Sequence, residues 1–408
     1  MEEFLRNLEL PQKGREFLFL VRDLAKKRGF FLYLAGGPVR DVLLKRTTKD
    51  IDLVLEGDWE ELLPILLKET QGNLLFKSQF LTYKVQLKEG LTLDLVTARR
   101  ETYLEPASLP YVERATFKED ILRRDFTINA LIYGLVPPFQ EKIVDLVSGL
   151  KDLREGFINP LHEDSFVEDP TRALRGVRYK VRFDFKYSLK FLQALERAKK
   201  VYSFHKLSSA RLAKELKLFF TKESREKIFD LILDLKKLSL FEAFSLKDRE
   251  FSREDFSIIE KAKRELSPKD LEKFYLLALV EIEEKTINRL GFLDEEREKI
   301  LKYYNYLVEE EFGKKKELIE QIEFLERIPN YLLFRFGLEK RFRKLFKFWE
   351  NYRDIKPSLT GNDLKAMGIK EGEEIGKVLR ELRKRKLLGE LRTVEEEKNW
   401  VKTYYTKK

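Results

Sequence analysis

The chain has 408 residues, 37% of them charged, and a formal net charge of +10. This length predicts about two to four domains, and the positive charge favours a polyanionic partner such as nucleic acid. There is no cysteine, which excludes disulfides and thiolate metal sites and favours a reducing compartment. Residues 1–6 carry no export signal, and no apolar run reaches the ~18 residues of a membrane helix. We therefore expect a soluble, cytoplasmic protein without membrane contact.

The first predicted elements surround a pair of glycines. Residues 14–27 space their apolar side chains as an amphipathic helix does. A short apolar run, 31–34, then ends at Gly36 and Gly37, and Pro38 suits the first turn of a helix. Paired glycines let a backbone approach a phosphate closely, and the amides of a helix N-terminus favour an anion. The order strand, glycine turn, helix therefore predicts a phosphate site.

Two carboxylates follow in the next apolar run, at Asp50 and Asp52. Residues two apart on a strand face the same side, and neighbouring carboxylates repel unless a cation lies between them. Hard divalent cations such as Mg2+ prefer oxygen ligands of this kind. A metal held by Asp50 and Asp52 beside a phosphate site predicts nucleotidyl transfer, with Mg2+ or Mn2+ as the cofactor.

The segment from Leu34 to Asp52, with Arg40 in its helix, resembles the signature of the nucleotidyltransferase superfamily that includes DNA polymerase beta. Within that superfamily it looks like class II tRNA nucleotidyltransferases and bacterial poly(A) polymerases. The resemblance implies that Gly36, Gly37 and Arg40 belong to a nucleotide site and that Asp50 and Asp52 are catalytic.

Further along, residues 59–68 have helical spacing, and residues 80–87 and 91–96 predict two strands. Asp94 lies in the second of these strands, which should neighbour the aspartate pair. The resemblance places a third catalytic carboxylate here. Residues 100–115 have two prolines and no apolar period, so we expect a surface loop.

Residues 119–131 closely match the family's Arg-Arg-Asp-Phe-Thr-hydrophobic-Asn-Ala motif. Arginines suit a triphosphate because a guanidinium group donates hydrogen bonds in a planar fork. Thr127 is predicted to cap a helix whose first turn contains Asn129. The resemblance implies that this motif supplies four nucleotide-binding residues, Arg123, Arg124, Asp125 and Asn129.

A second motif begins at Asp169, a predicted cap before a proline at the first helical position. Asp169, Arg172 and Arg175 are spaced by three and should line one helix face. The resemblance implies that Asp169 and Arg172 read the incoming base, and that Arg175 and Arg178 belong to the same nucleotide site.

The remainder of the chain is helical in pattern, and we expect no strand after residue 216. Ser208 is predicted to cap a helix, and the aromatic residues of 335–353 recur at helical spacing, so most should be core. Residues 357–388 resemble the tail of bacterial CCA-adding enzymes. The resemblance implies that the basic run in this tail binds tRNA through Arg383, Lys384, Arg385 and Lys386.

The implied architecture is an α+β head of the polymerase-beta type with a mixed sheet, followed by an all-α neck, body and tail. The expected boundaries are 1–138, 139–218, 219–305 and 306–408. The implied activity is template-independent addition of CMP and/or AMP, from CTP and ATP, to the 3′ end of tRNA. No protein partner is implied.

The sequence allows three alternative functions to be compared. A poly(A) polymerase would extend many RNAs with AMP, but the tail resembles that of CCA-adding enzymes. An inactive RNA-binding relative would not need its carboxylates and arginines intact. A fused HD-type phosphohydrolase is excluded, since His162 and His205 are the only histidines and neither is followed by aspartate. The sequence leaves open whether CCA, only CC or only the terminal A is added, although the loop at 100–115 weighs against CC alone.

Overall fold

The computed structural model describes residue 4 and residues 8–48, 51–307 and 312–405. The chain divides into two compact units, Met1–Phe244 and Ser245–Lys408. The expected boundaries at 138 and 218 both fall inside the first unit, so the division into head, neck, body and tail stays a prediction. No helix of the described residues is long and apolar enough to cross a membrane.

The first unit contains all the named strands: β1 (Phe31–Ala35), β2 (Asp52–Glu56), β3 (Asn73–Lys77), β4 (Thr82–Gln86), β5 (Thr92–Thr97), β6 (Arg99–Thr102), β7 (Tyr111–Arg114), β8 (Ile132–Gly134), β9 (Ile143–Val144), β10 (Phe157–Ile158) and β11 (Lys186–Tyr187). Seven of them form one sheet in the order β3-β4-β5-β2-β1-β8-β9. The pair β2·β5 is parallel and the other neighbours are antiparallel. The predicted mixed sheet is confirmed.

The helices of the first unit are α1 (Gln12–Arg28), α2 (Gly37–Leu43), α3 (Trp59–Thr70), α4 (Phe117–Leu122), α5 (Gly149–Glu155), α6 (Ser165–Glu168), α7 (Thr171–Phe183), α8 (Leu189–Lys200), α9 (Ser203–Lys206), α10 (Ser209–Thr221), α11 (Arg225–Lys237) and α12 (Leu240–Ala243). Turns of 3-10 helix lie at Lys88–Gly90 and Thr127–Asn129. Helix α1 ends at a glycine cap. Gly29 takes the left-handed conformation at φ 71°, and its amide donates to the last carbonyls of the helix.

The second unit is helical, with α13 (Asp255–Glu265), α14 (Pro268–Ala278), α15 (Glu284–Arg289), α16 (Asp294–Lys302), α17 (Leu318–Leu325), α18 (Asn330–Gly337), α19 (Arg343–Tyr352), α20 (Gly361–Ala366), α21 (Glu373–Leu387) and α22 (Val394–Tyr404), and a π-helical turn at Tyr303–Leu307. Phe336, Phe342, Phe346 and Trp349 are buried, as their helical spacing predicted. Across its described residues the unit has no named strand.

Two expectations were wrong. Residues 100–115 are not an irregular loop throughout, because β6 and β7 pair as an antiparallel hairpin, which forms a two-stranded sheet of its own. Thr127 caps no helix: its hydroxyl donates to Asp152 Oδ2 at 2.6 Å. Ser208 stands at the N-cap of α10, as predicted, but its side chain accepts no capping hydrogen bond. In the seven-stranded sheet, β9 adds an edge strand beyond residue 138.

Candidate active site

A cleft of about 790 Å³ opens in the first unit, between the sheet and α7. It gathers side chains from segments more than 100 residues apart in the chain. The predicted site residues that line it are Gly36, Gly37, Arg40, Asp52, Asp94, Arg123, Arg124, Asp125, Asn129, Asp169, Arg172 and Arg175. Asp50 lies outside the described residues.

The glycine turn leaves little room for a side chain at Gly36. Gly36 has φ 72°, which favours glycine, and a Cβ there would lie 3.1 Å from Arg124 Nη1 and 3.4 Å from Asp52 Oδ2. The turn therefore brings the backbone between β1 and α2 directly against one cationic and one anionic side chain. Arg124 Nε is buried and has no hydrogen-bond partner among the described residues, which leaves a guanidinium donor for a ligand.

A row of charged side chains crosses three strands. Lys84 on β4, Asp94 on β5 and Asp52 on β2 are register partners, so neighbouring backbones lie about 4.8 Å apart. Lys84 Nζ lies 3.5 Å from Asp94 Oδ1. The part of the chain that the structure describes has no group of three potential metal ligands. The donor chemistry of Asp52 and Asp94 nevertheless suits a hard cation, because both are carboxylates on adjacent strands at the same cleft.

Arg123 and Arg124 are held in place by a carboxylate that the sequence did not single out. Asp120 is fully buried and accepts from Arg123 Nη2 at 2.7 Å and from Arg124 Nη2 at 2.8 Å. Burial alone would raise the pKa of Asp120, but the two arginine charges hold it well below its usual range. Glu101 accepts from Arg123 on the other side, at 3.0 Å. The two arginines are thus fixed before any ligand binds.

A second network joins α2 to α7. Arg40 donates to Asn129 Oδ1 at 2.5 Å, Asn129 donates to Asp125 Oδ1 at 3.0 Å, and Arg175 donates to Asp125 Oδ2 at 2.8 Å. Arg40 and Asp125 are buried, whereas the side chain of Arg175 is 39% exposed. Arg40, Asn129 and Asp125 therefore position their neighbours, and Arg175 is the member of this network most open to a ligand.

Asp169 and Arg172 lie at the start of α7 with most of their hydrogen-bonding capacity in use. Asp169 Oδ1 accepts from the Thr171 amide (2.9 Å), the Thr171 hydroxyl (2.6 Å) and Arg211 Nη2 (2.7 Å). Asp169 Oδ2 accepts from none of the described residues. The N-cap of α7 is Pro170, one residue after the predicted cap, and Asp169, the residue before Pro170, accepts from the first amide of the helix.

The guanidinium of Arg172 also has most of its hydrogen-bond donors in use. Its Nη1 donates to Ser165 Oγ at 3.0 Å and to Glu168 Oε2 at 3.5 Å. Its Nη2 donates to the Arg123 carbonyl at 3.0 Å and to the Tyr103 hydroxyl at 3.4 Å. An arginine has five N–H donors, so the Nε–H remains, and it bonds no described residue. The pair thus keeps one acceptor, Asp169 Oδ2, and one donor, Arg172 Nε.

The structure does not bring Arg178 to the cleft, and its part in nucleotide binding stays a prediction. This side chain is buried, lies near Glu215 and Glu223 at 3.8 and 3.9 Å, and does not line the cleft. It follows Arg172 by six residues, which turns it about 120° around the helix. The residue that shares the face of Arg175 is Arg182, about two turns on, and Arg182 does line the cleft.

The four predicted tRNA contacts on α21 bind carboxylates of their own unit. Arg383 makes a two-pronged pair with Glu326 at 2.6 and 2.8 Å. The other three pairs join Lys384 to Glu317, Arg385 to Glu390 and Lys386 to Glu397. These contacts give the basic run a structural role, and its contact with tRNA stays a prediction.

Sequence reasoning missed Asp120, Glu101, Tyr103, Arg182 and Arg211. A seven-residue spacing from Arg175 would have identified Arg182. Asp120 precedes Arg123 and Arg124 by three and four residues, a helical spacing that would have paired it with them. Glu101, Tyr103 and Arg211 lie in the sequence as ordinary charged or aromatic residues, and tertiary packing brings them to Arg123, Arg172 and Asp169.

Residues 32–159 match the model of the Poly A polymerase head domain. An A-adding tRNA nucleotidyltransferase of Aquifex aeolicus is 31% identical over 86% of this chain and 44% of its own length. One of Halalkalibacterium halodurans is 29% identical over 90% of this chain and 87% of its own. The solved structure of a CCA-adding enzyme in an apo form superposes with a TM-score of 0.75 and 26% identity, covering 98% of both chains. The chain therefore spans less than half of the Aquifex relative but most of the other two.

Proposed function

We propose that the chain belongs to the nucleotidyltransferase family that contains tRNA nucleotidyltransferases and poly(A) polymerases, which it resembles, and that it extends the 3′ end of tRNA toward CCA without a nucleic-acid template. Both of the relatives described above match most of this chain and are named A-adding enzymes, which favours ATP as the nucleotide and a tRNA ending in CC as the acceptor.

The observation that carries the proposal is the pair of unused groups on Asp169 and Arg172. Adenine and cytosine each present an exocyclic amino donor beside a ring-nitrogen acceptor. Asp169 Oδ2 can accept from the amino group while Arg172 Nε donates to the ring nitrogen. Uracil and guanine place a carbonyl against the carboxylate and an N–H against the guanidinium, so both contacts are mismatched.

The remaining groups of the cleft suit the triphosphate. Arg124 lines the cleft with its Nη1 beside the glycine turn, and Arg123 and Arg175 add two further guanidinium groups. Guanidinium groups pair with phosphate oxygens at fixed geometry. Preorganisation by Asp120 and Asp125 lowers the cost of ordering these arginines when the nucleotide binds.

Asp52 and Asp94, with Asp50, would hold Mg2+ or Mn2+, which supplies positive charge to the reacting phosphate and promotes ionisation of the 3′ hydroxyl. In the reaction the 3′ oxygen of the RNA forms a bond to the α-phosphorus, and the bond from that phosphorus to pyrophosphate breaks. Asp94, whose side chain is 49% exposed, would accept the proton of the hydroxyl. The arginines steady the charge of the departing pyrophosphate.

The test is incubation of the protein with tRNAs ending in the discriminator base, in C and in CC, each with one labelled nucleotide at a time. Incorporation of AMP on the CC-ending tRNA supports the proposal, and incorporation of CMP on the shorter ones would extend it to CCA addition. An unrelated RNA serves as the control. Repeated AMP addition to that RNA would instead indicate a poly(A) polymerase.

A further inference from the structure

The hydrogen-bond count at Arg172 draws attention to Tyr103, which follows β6 in the hairpin. Its hydroxyl is the fourth acceptor of the Arg172 guanidinium, at 3.4 Å from Nη2. The centre of the guanidinium lies 5.8 Å from the centroid of the tyrosine ring, so ring and hydroxyl both contact the same arginine. Tyr103 and Arg172 line the cleft together.

Glu101 fixes the direction of that hydroxyl. Tyr103 donates to Glu101 Oε2 at 3.0 Å, and the carboxylate, whose side chain is 7% exposed, also accepts from Arg99 and Arg123. Although burial would raise the pKa of Glu101, the charges of Arg123 and Arg99 lower it, which keeps the group an acceptor. Burial raises the pKa of Tyr103 well above its usual range, so the hydroxyl keeps its proton near neutral pH. Its oxygen is therefore left to accept from Arg172.

We propose that Tyr103 is a specificity-determining positioning residue, whose hydroxyl occupies the last Nη hydrogen of Arg172 so that the guanidinium offers the base a single donor. This inference rests on the proposed function, because it assumes that Arg172 reads the base. Without the hydroxyl, an Nη2–H is free to donate to a carbonyl of uracil or guanine, and the guanidinium can turn toward it. The expected consequence is loss of selectivity rather than a uniform loss of rate.

The experiment compares Tyr103→Phe with Tyr111→Phe. The first substitution removes only the hydroxyl. The control changes a tyrosine of the same hairpin that is 63% exposed and does not line the cleft. For each protein, kcat/KM is measured for all four nucleotides on one tRNA ending in CC, and the melting temperature is recorded as a check on folding.

From the loss of one hydrogen bond we expect the kcat/KM for ATP relative to that for UTP or GTP to fall about two- to tenfold in Tyr103→Phe. Tyr111→Phe should keep the wild-type ratio. If Tyr103→Phe slows all four nucleotides equally and keeps the ratio, the residue is merely structural and the inference is overturned. If the wild-type protein extends no tRNA, the proposed function fails. The inference is then decided by equilibrium binding of the same four nucleotides to both variants. The criterion is the affinity for ATP relative to the affinity for UTP or GTP.

Discussion

Replacing Asp169 by asparagine would change one hydrogen-bonding atom of the cleft and little else. Three donors converge on Oδ1, two from Thr171 and one from Arg211. These donors require an acceptor, so the amide oxygen of the asparagine must take the Oδ1 position. The amide nitrogen then stands where Oδ2 was. The substitution Asp169→Asn therefore turns the acceptor that we assign to the base into a donor at constant size.

The magnitude follows from the groups that would meet. An adenine amino group facing the new amide loses a hydrogen bond worth about 1 kcal/mol, and opposed donors left unsatisfied cost about 1–3 kcal/mol more. A total of about 2–4 kcal/mol lowers kcat/KM for ATP by about 30- to 900-fold. For UTP the carbonyl that met a carboxylate now meets a donor, so one of its two mismatches is removed.

The assay is kcat/KM for the four nucleotides on one tRNA, with Asp184→Asn as the matched control. Asp184 ends α7 in the left-handed conformation, which asparagine tolerates, and its 82% exposed side chain pairs with Lys227. The control should keep both rate and selectivity. If Asp169→Asn loses rate equally for ATP and UTP, Asp169 acts only through its bonds to Thr171 and Arg211 and the base is read elsewhere.

Three further predictions concern the metal site, the arginine support and the tail. Asp52→Asn, like Asp50→Ala, should abolish incorporation while a filter-binding assay finds tRNA affinity nearly unchanged; parallel loss of both would refute the metal role. Asp120→Asn should lower the free energy of unfolding by about 3 kcal/mol in urea, since it leaves two arginines with a neutral partner, and raise KM for the nucleotide. The pKa of Asp120 is depressed in the folded protein, so its stabilisation is complete above the unfolded pKa of ~4 and is lost progressively as pH falls below that value. The free energies of unfolding of wild type and variant should therefore converge in acid. A difference that stays constant with pH would contradict this. In the tail, the double variant Arg383→Glu with Glu326→Arg keeps the ion pair between the two positions. Its tRNA affinity should therefore fall only if Arg383 itself contacts RNA. The single variant Arg383→Glu is less informative, because it also breaks the ion pair.

Local sequence patterns predicted the parts of the fold whose signals are short-range. The apolar run of β1, the glycine turn and the proline of α2 specify their own conformations, and β1 and α2 were found where expected. The strands β4 and β5 were predicted because apolar and polar residues alternate along them. The start of α7 was predicted to within one residue: Pro170 and not Asp169 is its N-cap, while the Asp169 carboxylate bonds the amide two residues away.

Elements without such a pattern were missed for a physical reason. All five residues of β3 are exposed, so no buried face imposes an alternation on its sequence. The hairpin of β6 and β7 is held by backbone bonds and by pairs such as Arg100 with Glu113 at 2.8 Å, and charged side chains do not distinguish it from a loop. The contacts of Asp169 with Arg211 and of Arg172 with Tyr103 join residues 42 and 69 positions apart. No local pattern encodes pairs at that distance.

The basic run on α21 does not by its charge alone identify a tRNA-binding surface. Each of its four cations has a carboxylate within 3.0 Å, so the run as a whole carries little uncompensated charge. Lys386 even pairs with a fully buried Glu397, which in turn accepts from the amides of Ser358 and Leu359. Phosphates that approached this helix would compete with carboxylates already in place, so any affinity gained there is reduced by the ion pairs lost. The net charge of +10 therefore resides on other cations, and a steep salt dependence of tRNA binding would not by itself identify α21 as the site of contact.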